Sequence, residues 1–273
     1  MSHVYVLVEH DADQLNSVTA ELITAARPLG AVSAVVVGGH ADALAEELGQ
    51  LGAAQVVDAQ AADYDSRLIL PEVDALSALG QANPAPIVVA ATPTGNEIAG
   101  RVAARLASGA LSDVTEIKED GSAVHSIFGG AYETTATAVG QCPVYTVRPG
   151  AVDAVPQPTD GAVAPMELPA AGALDVKVTG FTPAEKSARP ELTTARVVVA
   201  GGRGVEGKFG EVVEPLADAF GGAVGATRDV VDEGDYDAAH QIGQTGVTVS
   251  PDLYIGLGIS GAMQHISGMQ TSG

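Results

Sequence analysis

Short runs of Val, Ala and Ile alternate with longer segments of helical periodicity along most of the chain, and this alternation constrains the fold more than any other feature. Residues 3–9, Ala31–Val37 and Pro86–Ala91 are mostly apolar runs of strand length, and Gln55–Asp58 reads as a short strand. A strand without a polar face has to be covered on both sides, as in a parallel sheet lying between helices. Between these runs, Asp13–Leu29 sets Leu15, Val18, Leu22 and Ile23 at helical spacing, and Gly30 closes the segment. Ala41–Leu48, Val73–Leu79 and Ile98–Ala107 read as further helices, and Thr92-Pro-Thr-Gly-Asn-Glu97 as a loop carrying capping residues. Strand–helix–strand repetition predicts a parallel sheet with right-handed crossovers. Aromatic residues make up 4% of the chain and Trp is absent, so aliphatic side chains and alanine must fill the core.

The pattern changes after Ser112. Val114–Lys118, Ala123–Phe128, Thr134–Val139 and Val144–Arg148 read as strands joined by short turns, which predicts an antiparallel portion of the sheet. Residues 149–172 are rich in Pro, Ala and Gly and read as an inter-domain connection. Leu174–Thr179 reads as one more strand, and a polar segment follows over Thr182–Thr194. Alternation resumes with a strand at Arg196–Ala200, a helix at Phe209–Phe220, strands at Ala223–Ala226 and Leu253–Leu257, and a helix from about Gly261. The expected class is α/β in two domains. An N-terminal domain over 1–149 carries a mixed, mostly parallel sheet with flanking helices; 150–195 connects; and 196–273 forms a C-terminal Rossmann-like domain.

The net charge of −21 argues against nucleic acid and anionic membranes as partners. It splits unevenly: residues 1–195 carry 9 basic and 24 acidic groups, and 196–273 carry 4 and 10, giving −15 and −6. Cys142 is the only cysteine, which excludes an internal disulfide and a thiolate metal cluster and fits a reducing compartment. A small buried hydrophobe is its simplest role. The histidines show no metal-ligand spacing. Residues 1–10 have no basic region before their apolar run, so they read as a strand and not a signal peptide. No apolar stretch approaches membrane-spanning length. Together with the high Ala and Val content, these features predict a bacterial cytoplasmic protein.

The candidate site residues lie in the last third. Residues 240–273 are rich in glycine, hydroxyls and amides, include His240 and His265, and carry one charge, Asp252. Neutral donors on a glycine-rich backbone suit a large polar ligand gripped along its length. Gly201-Gly-Arg-Gly204 follows a strand, where open α/β sheets bind ligands. There Gly202 and Gly204 permit close approach and Arg203 can meet a phosphate; a plain turn with an exposed arginine explains the motif equally well. Thr227-Arg228 ends the next strand, and for Arg228 alone a surface pair with Asp229 or Asp232 is the simpler reading. Gly256-Leu-Gly-Ile-Ser-Gly261 matches G-x-G-x-x-G between strand and helix, with Ser260 placed to cap the helix. It sits on the last strand rather than the first, which argues against a standard NAD-binding unit. His265 alone is more often structural, but Gln241, Gln244, Thr245 and Ser260 beside it favour ligand contact. No nucleophile elbow or Ser–His–Asp arrangement occurs.

Taken together, these residues resemble the alpha subunit of electron transfer flavoproteins. The matching blocks are Gly201–Gly204, Val224-Gly-Ala-Thr-Arg228 with Val231-Asp232, Gln241-Ile-Gly-Gln-Thr-Gly246, and Ser250-Pro-Asp-Leu-Tyr-Ile-Gly-Leu-Gly-Ile-Ser-Gly-Ala-Met-Gln-His265. Ala91–Gly95, Arg101–Leu106 and Phe128-Gly-Gly-Ala131 extend the likeness over the N-terminal part. The resemblance implies FAD in the second domain and a heterodimer with a beta subunit that holds AMP. It implies electron transfer from acyl-CoA and related dehydrogenases to a membrane quinone oxidoreductase, without membrane insertion. By the same carry-over, Arg228 lies against the flavin ring and favours its reduced, anionic forms, and His265 reaches the ring's O2 side. Gln244 and Thr245 bond near N5 and O4, and Arg203, Thr227, Gln241 and Ser260 hold ribityl or phosphate groups. Gly202, Gly204, Gly243, Gly258, Gly261, Ala262 and Gln264 complete the expected site. The family has serine where Thr227 stands and continues past the equivalent of Ser272, so weakened FAD binding is expected of this chain by itself.

Two other readings compete. An NAD-dependent or other nucleotide-binding enzyme needs an acid or base near the glycine turns, and His265 is the sole candidate. A nucleotide-binding regulatory module would use Thr92–Gly95 of the first domain.

Overall fold

The computed structural model describes residues 3–173, 175–182 and 188–273. The chain divides into two compact units. The first comprises Met1–Ser126 with Glu133–Thr182, and the second Ile127–Tyr132 with Pro183–Gly273.

In the first unit, β1 (His3–Leu7) is followed by a short hairpin of β2 (His10–Asp11) and β3 (Gln14–Leu15), then α1 (Val18–Ala26) and β4 (Ala31–Val37). Next come α2 (Ala41–Leu51), β5 (Ala53–Gln60), α3 (Leu70–Ala82), β6 (Ile87–Ala90) and α4 (Pro93–Arg105). Five strands follow: β7 (Ala110–Val114), β8 (Glu116–Ile117), β9 (Ala123–Ile127), β10 (Tyr132–Ala136) and β11 (Val144–Val147). Finally β12 (Ala162–Glu167) closes the series. Seven strands form one sheet in the order β12-β5-β4-β1-β6-β11-β7. Its strand pairs run parallel.

Alternation along each strand sends side chains to opposite faces. Val4 and Val6 pack with α1 and α2 through Leu22, Ile23, Leu44 and Leu48. Tyr5 and Leu7 pack with α3 and α4 through Val73, Leu76, Ile98 and Val102. Each fully buried aliphatic side chain of this kind contributes about 1.5–3 kcal/mol.

Several sequence expectations are corrected. The helix expected over Asp13–Leu29 begins at Val18, because Ala12 adopts a positive φ (49°) and turns the preceding residues into the β2–β3 hairpin. The loop expected at Thr92–Glu97 is the first turn of α4: Thr92 is its N-cap, accepting from Gly95 N at 3.0 Å, and Pro93 is the first helical residue. Pro suits that position because its missing N–H has no partner there anyway. Of the four strands expected after Ser112 as an antiparallel portion, the first three form a separate three-stranded sheet, β10-β9-β8, with β8 and β9 antiparallel. The fourth, at Val144–Arg148, is β11 and runs parallel between β6 and β7 in the large sheet.

The stretch 149–172, read as a connection, contributes β12 to the edge of the first sheet, in register with β5 from Ala162–Gln55 to Glu167–Gln60. Pro165 is tolerated at an edge. Of the strand expected at Leu174–Thr179, Leu174 lies outside the described residues. The remainder makes one bridge, Lys177 to Arg67, and buried Arg67 also binds Asp74 at 2.6 Å and Asp175 at 2.7 Å. Residues 183–187 of the polar segment also lie outside the described residues.

In the second unit, β13 (Val197–Gly201), α5 (Glu214–Phe220), β14 (Ala223–Ala226), α6 (Arg228–Asp232), β15 (Leu253–Leu257) and α7 (Met263–Ile266) follow in order. The helix expected from Phe209 opens as a wide π turn over Phe209–Val213 and continues as α5. The sheet is parallel with order β14-β13-β15. Val199, Val205, Phe209, Val213 and Val224 pack one face, and Leu192, Val198, Ala200, Ile242 and Val249 the other.

Candidate functional site

The chain leaves β13 toward β14 and returns to the opposite side of β13 as β15. That reversal makes a crevice beyond the carboxyl ends of the strands, the usual ligand position in open α/β sheets. Register makes the three ends level: Gly201 pairs with Ala226 on one side and Leu257 on the other. Gly202, Thr227 and Gly258 therefore start their turns side by side.

The two glycine turns interlock. Gly202 N donates to Leu257 O at 2.8 Å, and Gly204 N to Gly258 O at 3.0 Å. A Cβ on Gly202 would run into Gly258 O, and one on Gly204 would fall 2.8 Å from Gly258 Cα. Gly258 has φ +62°, and a Cβ there would sit 2.6 Å from the Gly204 carbonyl carbon. No larger residue fits at these three positions without moving backbone.

A third wall comes from the Gln241–Gly246 loop. Ile242 N donates to Ala226 O at 2.9 Å, fixing the loop to the end of β14, and Ile242 is buried where a side chain on Gly225 would stand. Gly243 has φ +144°, and Gln244 N donates to Gln264 O at 2.7 Å, tying the loop to α7. Gln241 Nε2 donates to Thr245 Oγ1 at 2.9 Å.

These turns enclose a cavity of about 1050 Å³. Gly202, Arg203, Gly204, Thr227, Arg228, Gln241, Gly243, Gln244, Thr245, Gly258, Ser260, Ala262, Gln264 and His265 all line it. Gly261 does not line it. Sequence reasoning missed Glu206, Asp229, Asp232, Ile242 and Ile259, which do. Asp232 carried a usable signal, since it stands one helical turn after Arg228; Ile242 and Ile259 look like ordinary core residues.

Both arginines have carboxylate partners. Arg228 Nε lies 3.2 Å from Asp232, and Arg203 lies 3.1 Å from Glu233 and 3.4 Å from Asp229. The simpler reading of Arg228 as an ion-paired residue therefore holds together with its place on the cavity wall. These pairs are largely exposed, so each contributes little and separates at small cost.

Ser260 departs from expectation. It does not cap a helix: Gly258 and Gly261 both take positive φ, the chain curls before it becomes helical, and the four-residue α7 starts at Met263 after an uncapped Ala262. A helix of that length gives almost no dipole to a phosphate, so backbone N–H groups and arginines must bind any anion here.

His265 is 8% exposed, and both ring nitrogens have protein partners. Nδ1 donates to Ile242 O at 3.0 Å, and Nε2 lies 2.7 Å from the Tyr254 hydroxyl. Burial holds its pKa below the usual histidine value, with the carbonyl acting in the opposite sense. Burial raises the Tyr254 phenol above its ordinary range.

The Thr92–Gly95 alternative finds no comparable site. The Thr92 hydroxyl is used as a cap, and a Cβ on Gly95 would strike Ala90 O, so that glycine serves helix-on-strand packing.

The cavity matches a dinucleotide in its donor set: hydroxyls, amides and two guanidinium groups around a floor on which backbone glycines meet without side chains. Comparison with known proteins bears on this directly. A family model of the electron transfer flavoprotein domain matches residues 4–179, and one of the electron transfer flavoprotein FAD-binding domain matches residues 191–270. The electron transfer flavoprotein subunit alpha of Mycobacterium leprae is 51% identical over all of this chain and 87% of its own length. The chain belongs to the electron transfer flavoprotein alpha-subunit family. The electron transfer flavoprotein subunit alpha of Paracoccus denitrificans is 38% identical over 93% of this chain and 82% of its own length. The mitochondrial alpha subunit of Dictyostelium discoideum is 36% identical over 98% and 80%. As a member of this family the chain binds FAD and carries electrons, and the matched FAD-binding domain includes every residue of the cavity wall. Among the described residues, no helix is long and apolar enough to cross a membrane.

Proposed function

We propose that the chain pairs with an electron transfer flavoprotein beta subunit, which holds AMP, and works in the bacterial cytoplasm. There it takes electrons from acyl-CoA and related dehydrogenases and delivers them to a quinone oxidoreductase, which it meets at the membrane without inserting. The observation that carries the reading is the cavity beyond β13 and β15, floored by Gly202, Gly204 and Gly258. FAD supplies the one- and two-electron chemistry, and the protein supplies position and electrostatics.

In this reading Gly202 and Gly204 let the backbone approach the cofactor, and Arg203 exchanges Asp229 and Glu233 for a phosphate. Thr227, Gln241 and Ser260 offer neutral hydrogen bonds along the chain of the cofactor, and Gln244 and Thr245 offer them at the ring. Arg228 supplies positive charge beside the ring and favours its reduced forms. Each ~1.4 kcal/mol of such preference is worth a decade in equilibrium constant. Electron transfer itself requires no general acid or nucleophile from the protein.

The test is stepwise reduction of the purified heterodimer with a reduced acyl-CoA dehydrogenase, followed by flavin absorbance. Electron uptake in wild type, and a lowered reduction potential in Arg228→Ala with FAD still bound, are expected. A complex that keeps FAD but accepts no electrons from any such dehydrogenase would contradict the partner assignment.

A further inference from the structure

The electron-carrying role has not used the geometry of Tyr254, which stands behind His265 at the cavity wall. β15 carries it to within 2.7 Å of His265 Nε2, on the side of the imidazole away from Ile242 O. A carbonyl oxygen only accepts, so Nδ1 carries a hydrogen in every state of the ring. A tyrosine hydroxyl both donates and accepts. With neutral His265, the Tyr254 O–H donates to Nε2; with protonated His265, Nε2–H donates to the Tyr254 oxygen. In both states each imidazole nitrogen keeps its hydrogen bond without moving a heavy atom, and the charged state has the stronger, charge-assisted pair.

We propose that Tyr254 is a positioning residue for the FAD site: it holds His265 so that the buried imidazole takes up a proton as negative charge enters the cavity. This rests on the flavin reading above. The electrons come from the donor protein and the proton from water. Tyr254 keeps its own proton, because burial makes its phenol a weaker acid than usual. Burial disfavours imidazolium, and added negative charge in the cavity opposes that penalty. Few other charges bear on the ring. α7 and the Gln241–Gly246 loop carry no titratable group besides His265, and β15 carries none besides Tyr254. Asp252, just before β15, is paired with Arg196. Arg203, Glu206, Arg228, Asp229 and Asp232 line the same cavity.

The experiment uses the FAD-loaded heterodimer, wild type and Tyr254→Phe, with two readouts: the reduction potential as a function of pH, and the titration of His265 by ¹⁵N NMR in oxidised and reduced protein. In wild type, the His265 midpoint rises by about one unit or more on reduction, and the potential falls with rising pH across that interval. In Tyr254→Phe, FAD stays bound, the His265 midpoint falls in both states, and reduction becomes about tenfold less favourable, close to 59 mV for one electron. Unchanged titration and potential in Tyr254→Phe overturn the proposal. Should that variant not fold, wild type decides: a His265 midpoint that is the same in oxidised and reduced protein overturns it equally. Absence of FAD from the wild-type complex would instead overturn the flavin reading.

Discussion

Residue by residue, the site was legible where chemistry and backbone conformation coincide. Gly202, Gly204 and Gly258 stood out in the sequence because glycine repeats at strand ends have few purposes, and their Cα atoms do meet across the crevice. Thr227 and Arg228 were legible from their place after an apolar run. The Tyr254–His265 pair was not, because a tyrosine alternating along a strand gives no sign of which side chain it faces. Nor was the lack of a cap at Ser260, which follows from two positive-φ glycines three residues apart. The Arg228–Asp232 pair yields a residue-scale prediction. Both side chains are mostly exposed, so Asp232→Asn should change the unfolding free energy by less than about 1 kcal/mol. Removing the competing carboxylate should tighten FAD binding severalfold at low ionic strength, an advantage that fades as salt screens the arginine. FAD titrations of the heterodimer at two salt concentrations check this; equal affinities at low salt would mean that the Arg228 charge does not act on the cofactor.

Among the elements, the strongly periodic ones were readable and the short ones were not. β1, β4, β11, β13, β14 and β15 fall within a residue or two of their apolar runs, since hydrophobic periodicity is a direct record of burial. β12 was hidden because an edge strand needs no continuous apolar run and Pro165 argues against a strand in a central position. α4 shows capping acting as a start signal: the Thr92-Pro93 pair marks the first turn. Thr92→Ala should therefore destabilise the first unit by about 1 kcal/mol in urea unfolding. FAD affinity should be unchanged, since the cavity wall lies wholly in the second unit. A large loss of FAD from Thr92→Ala would revive the first-domain nucleotide site.

Across the whole molecule, this acidic chain partly buries several of its carboxylates. Burial raises the pKa of Glu9, Glu21 and Glu72 in the folded first unit. A carboxyl whose folded pKa is raised favours folding when protonated, and that contribution is lost as pH rises through the folded value. The lowered values of Asp120 and Asp218 act in the opposite sense, but at pH below the ordinary carboxylate range. With a net charge of −21 adding repulsion at higher pH, the first unit should gain stability as pH falls toward about 5, while buried His265, with its lowered pKa, acts in the opposite sense in the second unit. Glu9→Gln should raise stability at neutral pH and change it little near the acid end. Urea unfolding of the heterodimer with wild-type chain and with Glu9→Gln, from neutral pH to about 5, checks both expectations; a Glu9→Gln stability difference that does not shrink toward acid would contradict them.

The central claim is that FAD sits where the glycine turns after β13 and β15 interlock. The direct measurement is FAD affinity of the heterodimer with wild-type chain and with Gly258→Ala, alongside unfolding of both. Gly258 combines a positive φ with backbone 2.6 Å from any added Cβ. The substitution should therefore cost roughly 1–3 kcal/mol of stability in the second unit and reduce FAD affinity by at least about tenfold, or 1.4 kcal/mol. A folded Gly258→Ala complex that binds FAD as tightly as wild type would place the cofactor elsewhere.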